Sequence, residues 1–407
     1  MAQVTRLPRA GWYLLGPAFV AAIAYVDPGN VAANVSAGAQ FGYLLVWVIV
    51  VANVMAGLVQ YLSAKLGLVT GRTLPEAVRD HTRTPSRIGY WLQAELVAIA
   101  TDLAEVVGGA IALRLLFGLP MLLGGVITGA VSLLLLVVQD RRGQRVFERV
   151  IIGLLMVIAI GFLSSLFVKT PPAADVVAGL IPRFDGTESV LLAAAILGAT
   201  VMPHAVYLHS GLARDRHGHP EAGAPRARLL RATRWDVSIA MLLAGAVNLA
   251  MLLIAATNLQ GRGDTDSIEG AHAAVREALG PTVALFFAIG LLASGLASTS
   301  VGAYAGAMIM QGLLHKTFPL LARRVITLIP ALVVLGIGID PSRALVISQV
   351  VLSFGIPFAL VPLVRLTSNP TLMGADVNSR LTTVLGCAVA SIITLLNVVL
   401  IYLTLAP

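Results

Sequence analysis

The stretch AYVDPGNVA, residues 24–32, interrupts the first long apolar segment of the chain with an aspartate, a proline, a glycine and an asparagine. In a soluble protein these residues would form an ordinary turn. A second apolar segment contains LGATVMPHAVYLHS at 197–210, again with a proline inside it. Because proline removes a helical hydrogen-bond donor and clashes with the preceding turn, we expect backbone carbonyls to be freed at Pro28 and Pro203.

The composition predicts an all-α polytopic membrane protein. Of 407 residues, 57% are hydrophobic and 12% are charged, and the mean hydropathy is +0.88. Apolar runs of about 20 residues, long enough for a helix to cross a bilayer, recur along the whole chain. We therefore expect one transmembrane domain over 1–407. Its first run imitates a secretory signal, but we expect no cleavage because the run resumes after Asn30 and ten more follow. The single cysteine, Cys387, excludes an intrachain disulfide.

Eleven spans are predicted, and the two breaks fall in the first and the sixth. The spans are expected at 12–41, 43–64, 88–113, 120–139, 150–168, 187–212, 236–258, 281–313, 324–339, 344–364 and 382–405. Each break opens a five-span half, 12–168 and 187–364, and 382–405 is an additional helix. Discontinuous helices in corresponding positions are typical of inverted repeats that meet at a central substrate site, whereas one proline alone would indicate a kink.

Basic residues fall mainly on one side of the predicted spans. If the N-terminus is cytoplasmic, 22 of the 28 lysines and arginines fall in inward segments, as the positive-inside rule expects. This count places the C-terminus outside and removes the motive for a nucleic-acid partner. Within the inward segments, 214–234 contains two histidines among glycine, proline and arginine, and we expect a flexible linker rather than a metal tract.

The residues around the breaks are cation ligands. Asp27 offers a carboxylate, Asn30 an amide oxygen and Met202 a thioether, and the broken turns offer carbonyls from residues such as Ala24 and Ala199. Oxygen donors alone would suit calcium, magnesium or manganese. A soft sulfur ligand shifts the preference toward manganese, iron, cobalt and cadmium, although most membrane methionines only pack.

Ionisable residues inside predicted spans indicate a proton pathway. Glu95, Asp102 and Glu105 are spaced by seven and three residues, so they share one face of the third span. Carboxylate chains mark proton relays in transporters. We expect Asp27 to take both proton and metal, with Glu105 and Asp102 carrying protons toward the cytoplasm. The alternative for Asp102 or Glu105 is a structural ion pair with an arginine.

Two histidines follow the second break. His204 either titrates near neutral pH or hydrogen-bonds the freed backbone, and the sequence leaves both alternatives open. His209 is expected lower on the same pathway. Asn248 and Gln60 are polar residues in spans seven and two, where packing hydrogen bonds are the favoured interpretation.

With DPGN at 27–30 and MPH at 202–204, the chain resembles the Nramp family of proton-coupled divalent metal transporters, which is similar in fold to LeuT-type transporters. The resemblance implies that Asp27, Asn30 and Met202 bind metal, with the carbonyls of Ala24 and Ala199. It also implies that Gln349 approaches the metal, against an alternative of an interhelical hydrogen bond, and that Arg323 and Arg324 join the proton pathway. Ala205 and Val206 depart from the asparagine and leucine that the family commonly has there.

The expected function is proton-coupled import of Mn²⁺ or Fe²⁺, and also of Cd²⁺ and Co²⁺, across the cytoplasmic membrane by alternating access. The sequence contains no nucleotide-binding loop, nucleophile elbow or HExxH motif, so we do not expect an enzyme. The expected partners are metal ions, protons and the bilayer, without a prosthetic group, and a monomer suffices. Open alternatives are a LeuT-type transporter of amino acids or Mg²⁺, an uncoupled cation channel, and a membrane enzyme that hydrolyses with a metal.

Overall fold

The computed structural model describes residues 16–261, 267–316 and 318–405, and every regular element within these ranges is helical. Eight stretches among the described residues are long and apolar enough to cross a membrane. They are Val46–Thr70, Thr84–Phe117, Met121–Arg142, Gln144–Val168, Gly186–His217, Ala224–Asn258, Pro281–Leu314 and Arg380–Val399. The chain is therefore an all-helical polytopic membrane protein.

The first predicted span is broken as expected. Helix α1 covers Pro17–Ala22 and continues as a 3₁₀ turn at Ile23–Tyr25, and helix α2 covers Pro28–Phe41. Asp27 is the N-cap of α2, with extended backbone, and Pro28 takes the first helical position, where a missing N–H costs nothing. The start of the predicted span, 12–15, lies outside the described residues.

The second break has the same construction. Helix α9 covers Gly186–Thr200 and helix α10 covers Pro203–His217. Met202 is the extended N-cap of α10 and Pro203 is its first helical residue. Each proline thus starts a new helix after an extended residue.

The remaining helices are numbered in chain order together with α1, α2, α9 and α10. They are α3 (Val46–Thr70), α4 (Leu74–Asp80), α5 (Thr84–Phe117), α6 (Met121–Arg142), α7 (Gln144–Val168), α8 (Ala173–Ala178), α11 (Ala224–Asn258), α12 (Ile268–Leu279), α13 (Pro281–Leu314), α14 (Leu320–Gly336), α15 (Pro341–Thr367), α16 (Pro370–Met373) and α17 (Arg380–Leu405). Those that correspond to predicted spans have shifted ends, whereas α4, α8, α12 and α16 lie between predicted spans.

The prediction of a linker over 214–234 is wrong at both ends. Helix α10 continues to His217 and α11 already begins at Ala224, which leaves 218–223 outside these helices. Both extensions are rich in arginine, so hydropathy ends the predicted spans where the apolar run ends, although the backbone stays helical beyond it.

The broken helices lie among closely packed partners. A Cβ on Gly38 of α2 would contact the backbone of α11, and one on Gly67 of α3 would meet the Ser210 carbonyl of α10. In the most apolar 18-residue segment of α5, 83% is buried inside the protein. The corresponding buried shares of α6, α7 and α17 are 33%, 39% and 28%. The breaks therefore lie in the interior, and the apolar outer faces of α6, α7 and α17 suit contact with lipid.

Candidate metal centre at the helix breaks

Asp27 and Asn30 form a small hydrogen-bonded unit at the start of α2. Asp27 Oδ1 accepts the Asn30 backbone N–H at 2.8 Å and the Asn30 side-chain amide at 2.7 Å. The same amide donates to the carbonyl of Ala199 at 3.1 Å. Because Ala199 is in the last turn of α9, this bond joins one helix break to the other.

Two side-chain oxygen atoms of this unit accept no hydrogen bond from the described residues and are suited to bind a cation. Asp27 Oδ2 and Asn30 Oδ1 are buried, and neither has a hydrogen-bond partner among the described residues. A buried polar atom without a partner loses its hydration without compensation, typically at about 1–3 kcal/mol. A divalent cation would supply the missing partner for both oxygens.

Met202 and Ala24 come from the two broken turns themselves. Met202 is fully buried at the N-cap of α10, and Ala24 is buried in the 3₁₀ turn that precedes Asp27. Met202, Ala24 and Ala199, which the sequence predicted as ligands, therefore all lie at the two helix breaks. The Ala199 carbonyl already accepts the amide of Asn30, so metal ligation by that oxygen would have to share or displace this bond.

Gln349 of α15 lies beside the aspartate. A Cβ on Gly29 would overlap the Gln349 amide nitrogen and would be 3.5 Å from Asp27 Oδ1. Neither the oxygen nor the nitrogen of this amide has a hydrogen-bond partner among the described residues, and both atoms are buried. The interhelical hydrogen bond considered for Gln349 is therefore not formed in this structure.

Neighbouring helices satisfy the carbonyls that the first break frees. The Asn248 amide of α11 donates to the Tyr25 carbonyl at 2.8 Å, and the Ser294 hydroxyl of α13 donates to the Val26 carbonyl at 2.5 Å. Asn248 is thus a packing residue, as the sequence favoured. Ser294 was missed, because a serine in an apolar helix gives no signal of its own.

Of the three acidic residues on α5, only Glu105 has no cationic partner in the described part of the chain. It is fully buried, and neither carboxyl oxygen has a hydrogen-bond partner there. Glu105 lies against α13, where a Cβ on Gly302 would be 3.2 Å from Oε2. Its carboxyl group is therefore not held by an ion pair in this part of the chain, and the Ser298 side chain of α13 is its polar neighbour.

The other two acidic residues are ion-paired with α14. Asp102 Oδ1 is 2.5 Å from Arg324 Nη1, and both side chains are buried. Glu95 Oε1 is 2.7 Å from Arg323 Nη2, nearer the start of α5. The alternative of a structural ion pair is thus observed for Asp102, whereas Glu105 forms none in the described residues.

The two histidines of α10 have different surroundings. His204 is buried and neither ring nitrogen has a hydrogen-bond partner among the described residues, so it does not hold the freed backbone. His209 Nδ1 is 2.7 Å from Gln60 Oε1, and the Gln60 amide donates to the Tyr25 hydroxyl at 2.6 Å. His209 and Gln60 therefore connect α10 and α3 to the turn before Asp27.

With this geometry in place, comparison with known proteins decides the family. The sequence profile of the family described as "Natural resistance-associated macrophage protein-like", abbreviated Nramp, matches residues 18–403. The chain belongs to the Nramp family. Proteins described as divalent metal cation transporters, reported next, show that this is a family of transporters rather than of enzymes.

Proteins of similar sequence agree with this assignment. The Nramp chain is 71% identical over 405 residues to the "Divalent metal cation transporter MntH" of Mycobacterium tuberculosis (strain ATCC 25618 / H37Rv), covering 99% of this chain and 95% of that one. A protein of the same description from Bacillus subtilis (strain 168) is 49% identical over 389 residues, covering 95% of this chain and 91% of that one.

Two solved structures resemble the fold. The manganese transporter of Eremococcus coleocola, in complex with an aromatic bis-isothiourea substituted compound, superposes with a TM-score of 0.89 at 32% identity, covering 99% of this chain and 89% of that chain. Mhp1, a nucleobase-cation-symport-1 family transporter in a closed conformation, gives 0.60 at 16% identity, covering 96% and 93%. The second likeness concerns the fold alone.

One end of the Nramp chain's broken helix is tied down by acidic residues. Asp236 of α11 accepts the backbone N–H of Gly16 on Oδ1 and that of Ala18 on Oδ2, each at 3.0 Å. Helix α1 has no side-chain cap of its own, so Asp236 caps it. Glu148 of α7 lies against Gly16, with Oε2 3.5 Å from Arg216 Nε of α10.

The candidate centre in this Nramp chain is not a cluster of the commonest metal-ligating side chains. Among the described residues, no group of three or more histidine, cysteine, aspartate or glutamate side chains could hold a metal ion. The candidate centre has one carboxylate, complemented by amide, carbonyl and sulfur atoms. The signal that found it was the position of these atoms at two proline breaks.

Proposed function

We propose that this chain imports divalent transition-metal ions, Mn²⁺ or Fe²⁺ and also Cd²⁺ and Co²⁺, together with protons across the cytoplasmic membrane by alternating access. One observation carries the proposal. The two helix breaks are joined by Asn30, which bonds both Asp27 and the Ala199 carbonyl, and unpartnered oxygens of Asp27 and Asn30 remain at the junction.

The proposed ligands combine hard and soft donors. They are the side chains of Asp27, Asn30, Met202 and Gln349 and the carbonyls of Ala24 and Ala199. Calcium and magnesium gain nothing from sulfur, whereas manganese, iron, cobalt and cadmium tolerate or prefer it. The thioether therefore argues against the Mg²⁺ alternative, and the negative aspartate argues against a substrate that binds through its own carboxylate.

The proposed architecture is eleven spans with a LeuT-type five-plus-five inverted repeat. The halves are 12–168 and 187–364, with 382–405 outside the repeat, and a monomer transports. The N-terminus is cytoplasmic and the C-terminus is outside, which the distribution of basic residues supports. The equivalent construction of the breaks at Pro28 and Pro203 supports the repeat.

Coupling follows from competition at Asp27. A carboxylate must be deprotonated to bind a metal ion, so the arriving ion displaces a proton that needs a nearby acceptor. Glu105 is the acceptor best suited, because it is buried beside α13 and no ion pair holds it among the described residues. His204, also without a hydrogen-bond partner there, is the second candidate.

From Glu105 the proposed pathway runs along α5 toward the cytoplasm. Its members are Asp27, Glu105, Asp102 and Glu95, with Arg324 and Arg323 as the cationic partners and His204 and His209 on α10. Asp102 and Glu95 are ion-paired with Arg324 and Arg323, so a proton leaving Glu105 would pass two carboxylates that already have cationic partners.

The test is uptake of radioactive manganese into proteoliposomes with and without an inward proton gradient. Asp27→Ala abolishes uptake, and Asp140→Ala, an exposed aspartate at the end of α6, serves as the matched control. Glu105→Gln keeps manganese uptake but reduces the accompanying proton uptake. Normal uptake by Asp27→Ala would reject the site, and uptake that does not saturate with manganese would favour a channel.

A further inference from the structure

A basic pocket lies outside the proposed transport pathway, where α6 ends and α7 begins. Its volume is about 350 Å³. It is lined by Arg142, Gly143, Gln144, Arg145, Asp215 and Arg216. Three arginines therefore line one pocket, and Asp215 is its only acidic lining residue.

Neighbouring carboxylates offset the charge of the pocket only in part, because the buried Glu148 interacts electrostatically with both Arg216 and Arg145. Asp215 is bonded to Arg214, at 2.8 Å, outside the lining. Arg142 and Arg145 are exposed, and no ion pair of either is found in the part of the chain that the structure describes. Arg216 has its Nε near Glu148, but its Nη1 is buried without a hydrogen-bond partner among the described residues. The pocket is thus complementary to an anion with several acceptor oxygens.

The helices that carry the pocket also have lipid-facing surfaces. On α6 the side chain of Leu134 is 61% exposed, and on α7 those of Ile160 and Met156 are 58% and 45% exposed. In a membrane protein such apolar faces contact acyl chains. A molecule with a phosphate head and acyl tails would match both the arginines and the apolar faces of the same helices, whereas a free phosphate would use only the arginines.

We propose that this pocket binds the phosphate headgroup of an anionic phospholipid from the adjacent leaflet. Guanidinium groups bind phosphate through paired N–H donors, and basic pockets between transmembrane helices bind anionic headgroups in this way. The proposal goes beyond metal transport and is independent of it, since none of the lining residues contributes to the candidate metal centre.

The test compares two double variants with equal charge change. Arg142→Gln/Arg145→Gln removes two pocket arginines, and Arg228→Gln/Arg231→Gln removes two exposed arginines of α11 that do not line the pocket. The purified full chain is titrated with phosphatidylglycerol and with phosphatidylcholine, and bound lipid is counted by native mass spectrometry. The pocket variant is expected to bind phosphatidylglycerol roughly 30-fold more weakly, from about fivefold per arginine. The α11 variant is expected to keep wild-type binding.

Other results would overturn the proposal. Equal losses in both double variants would mean attraction to general surface charge, and no preference for phosphatidylglycerol in the wild type would mean no site. Displacement of the lipid by inorganic phosphate alone, at concentrations that leave phosphatidylcholine binding unchanged, would assign the pocket to a soluble phosphate compound. If the pocket double variant does not fold, Arg145→Gln alone, with Arg228→Gln as its control, gives the same comparison.

Discussion

Replacing Asp236 by asparagine should release the first half of the broken helix. The two carboxylate oxygens of Asp236 accept one backbone N–H each, from Gly16 and Ala18. An amide of the same shape can accept only one of them and turns an NH₂ group toward the other. One hydrogen bond to a charged acceptor is worth about 1.5–3 kcal/mol, and the charge at the helix N-terminus adds about 0.3–1 kcal/mol. The lower bound of about 2 kcal/mol is a roughly 30-fold shift toward the open form.

Cysteine labelling can measure this shift, because the chain has a single cysteine, Cys387, which is exposed and replaceable by serine. Ala21 of α1 is fully buried and becomes the reporter as Ala21→Cys. When opening precedes labelling, the maleimide reaction rate follows the population of the open form. Asp236→Asn should raise this rate about 30-fold, and Asp140→Asn should leave it unchanged. An unchanged rate in Asp236→Asn would refute the assignment of Asp236 as the residue that holds α1.

Three further substitutions test the site and its surroundings. Met202→Ala should keep manganese uptake while letting calcium compete, and competition by calcium as weak as in the wild type would contradict the role of sulfur. Gly29→Ala should weaken manganese binding measured by calorimetry, because its Cβ displaces the neighbouring amide of α15, whereas Gly57→Ala has no atom nearer than 3.9 Å and should bind normally. Arg324→Ala should destabilise the protein by about 3–5 kcal/mol in thermal unfolding by leaving Asp102 buried and unpaired. Adding Asp102→Ala should recover much of that loss, and no recovery would contradict the ion pair as the cause.

Proline alone did not determine where the helices break. Pro330 lies inside α14, and Pro357 and Pro362 lie inside α15, yet both helices continue through them. Pro28 and Pro203 differ because each follows an N-cap residue with extended backbone and is itself the first residue of a new helix. The sequence indicated this difference only through the polar and sulfur-containing residues beside these two prolines.

The partners of the site residues were beyond prediction from the sequence. The ion pair of Glu95 with Arg323 spans 228 positions, and its geometry depends on how α14 packs against α5. The absence of a hydrogen-bond partner for the Gln349 amide in the described residues is also a result of packing. A single glutamine in an apolar span forms no sequence pattern that would predict its neighbours. Helix α12 was missed for another reason: it lies between spans, where hydropathy predicts a loop.

The arrangement of the acidic residues explains why metal and proton transport would be coupled rather than independent. A carboxylate buried without a cation carries a large desolvation cost, which either a proton or a metal dication removes. For Asp102 and Glu95, ion pairs with arginines compensate this cost. Asp27 and Glu105 have no such arginine among the described residues. In the proposed mechanism, the proton displaced when a metal ion binds at Asp27 would move to Glu105, the second buried carboxylate without a cationic partner in the described part of the chain. Glu105→Gln removes this acceptor and should separate the two fluxes, and proton uptake that still follows manganese in that variant would assign the acceptor to His204 instead.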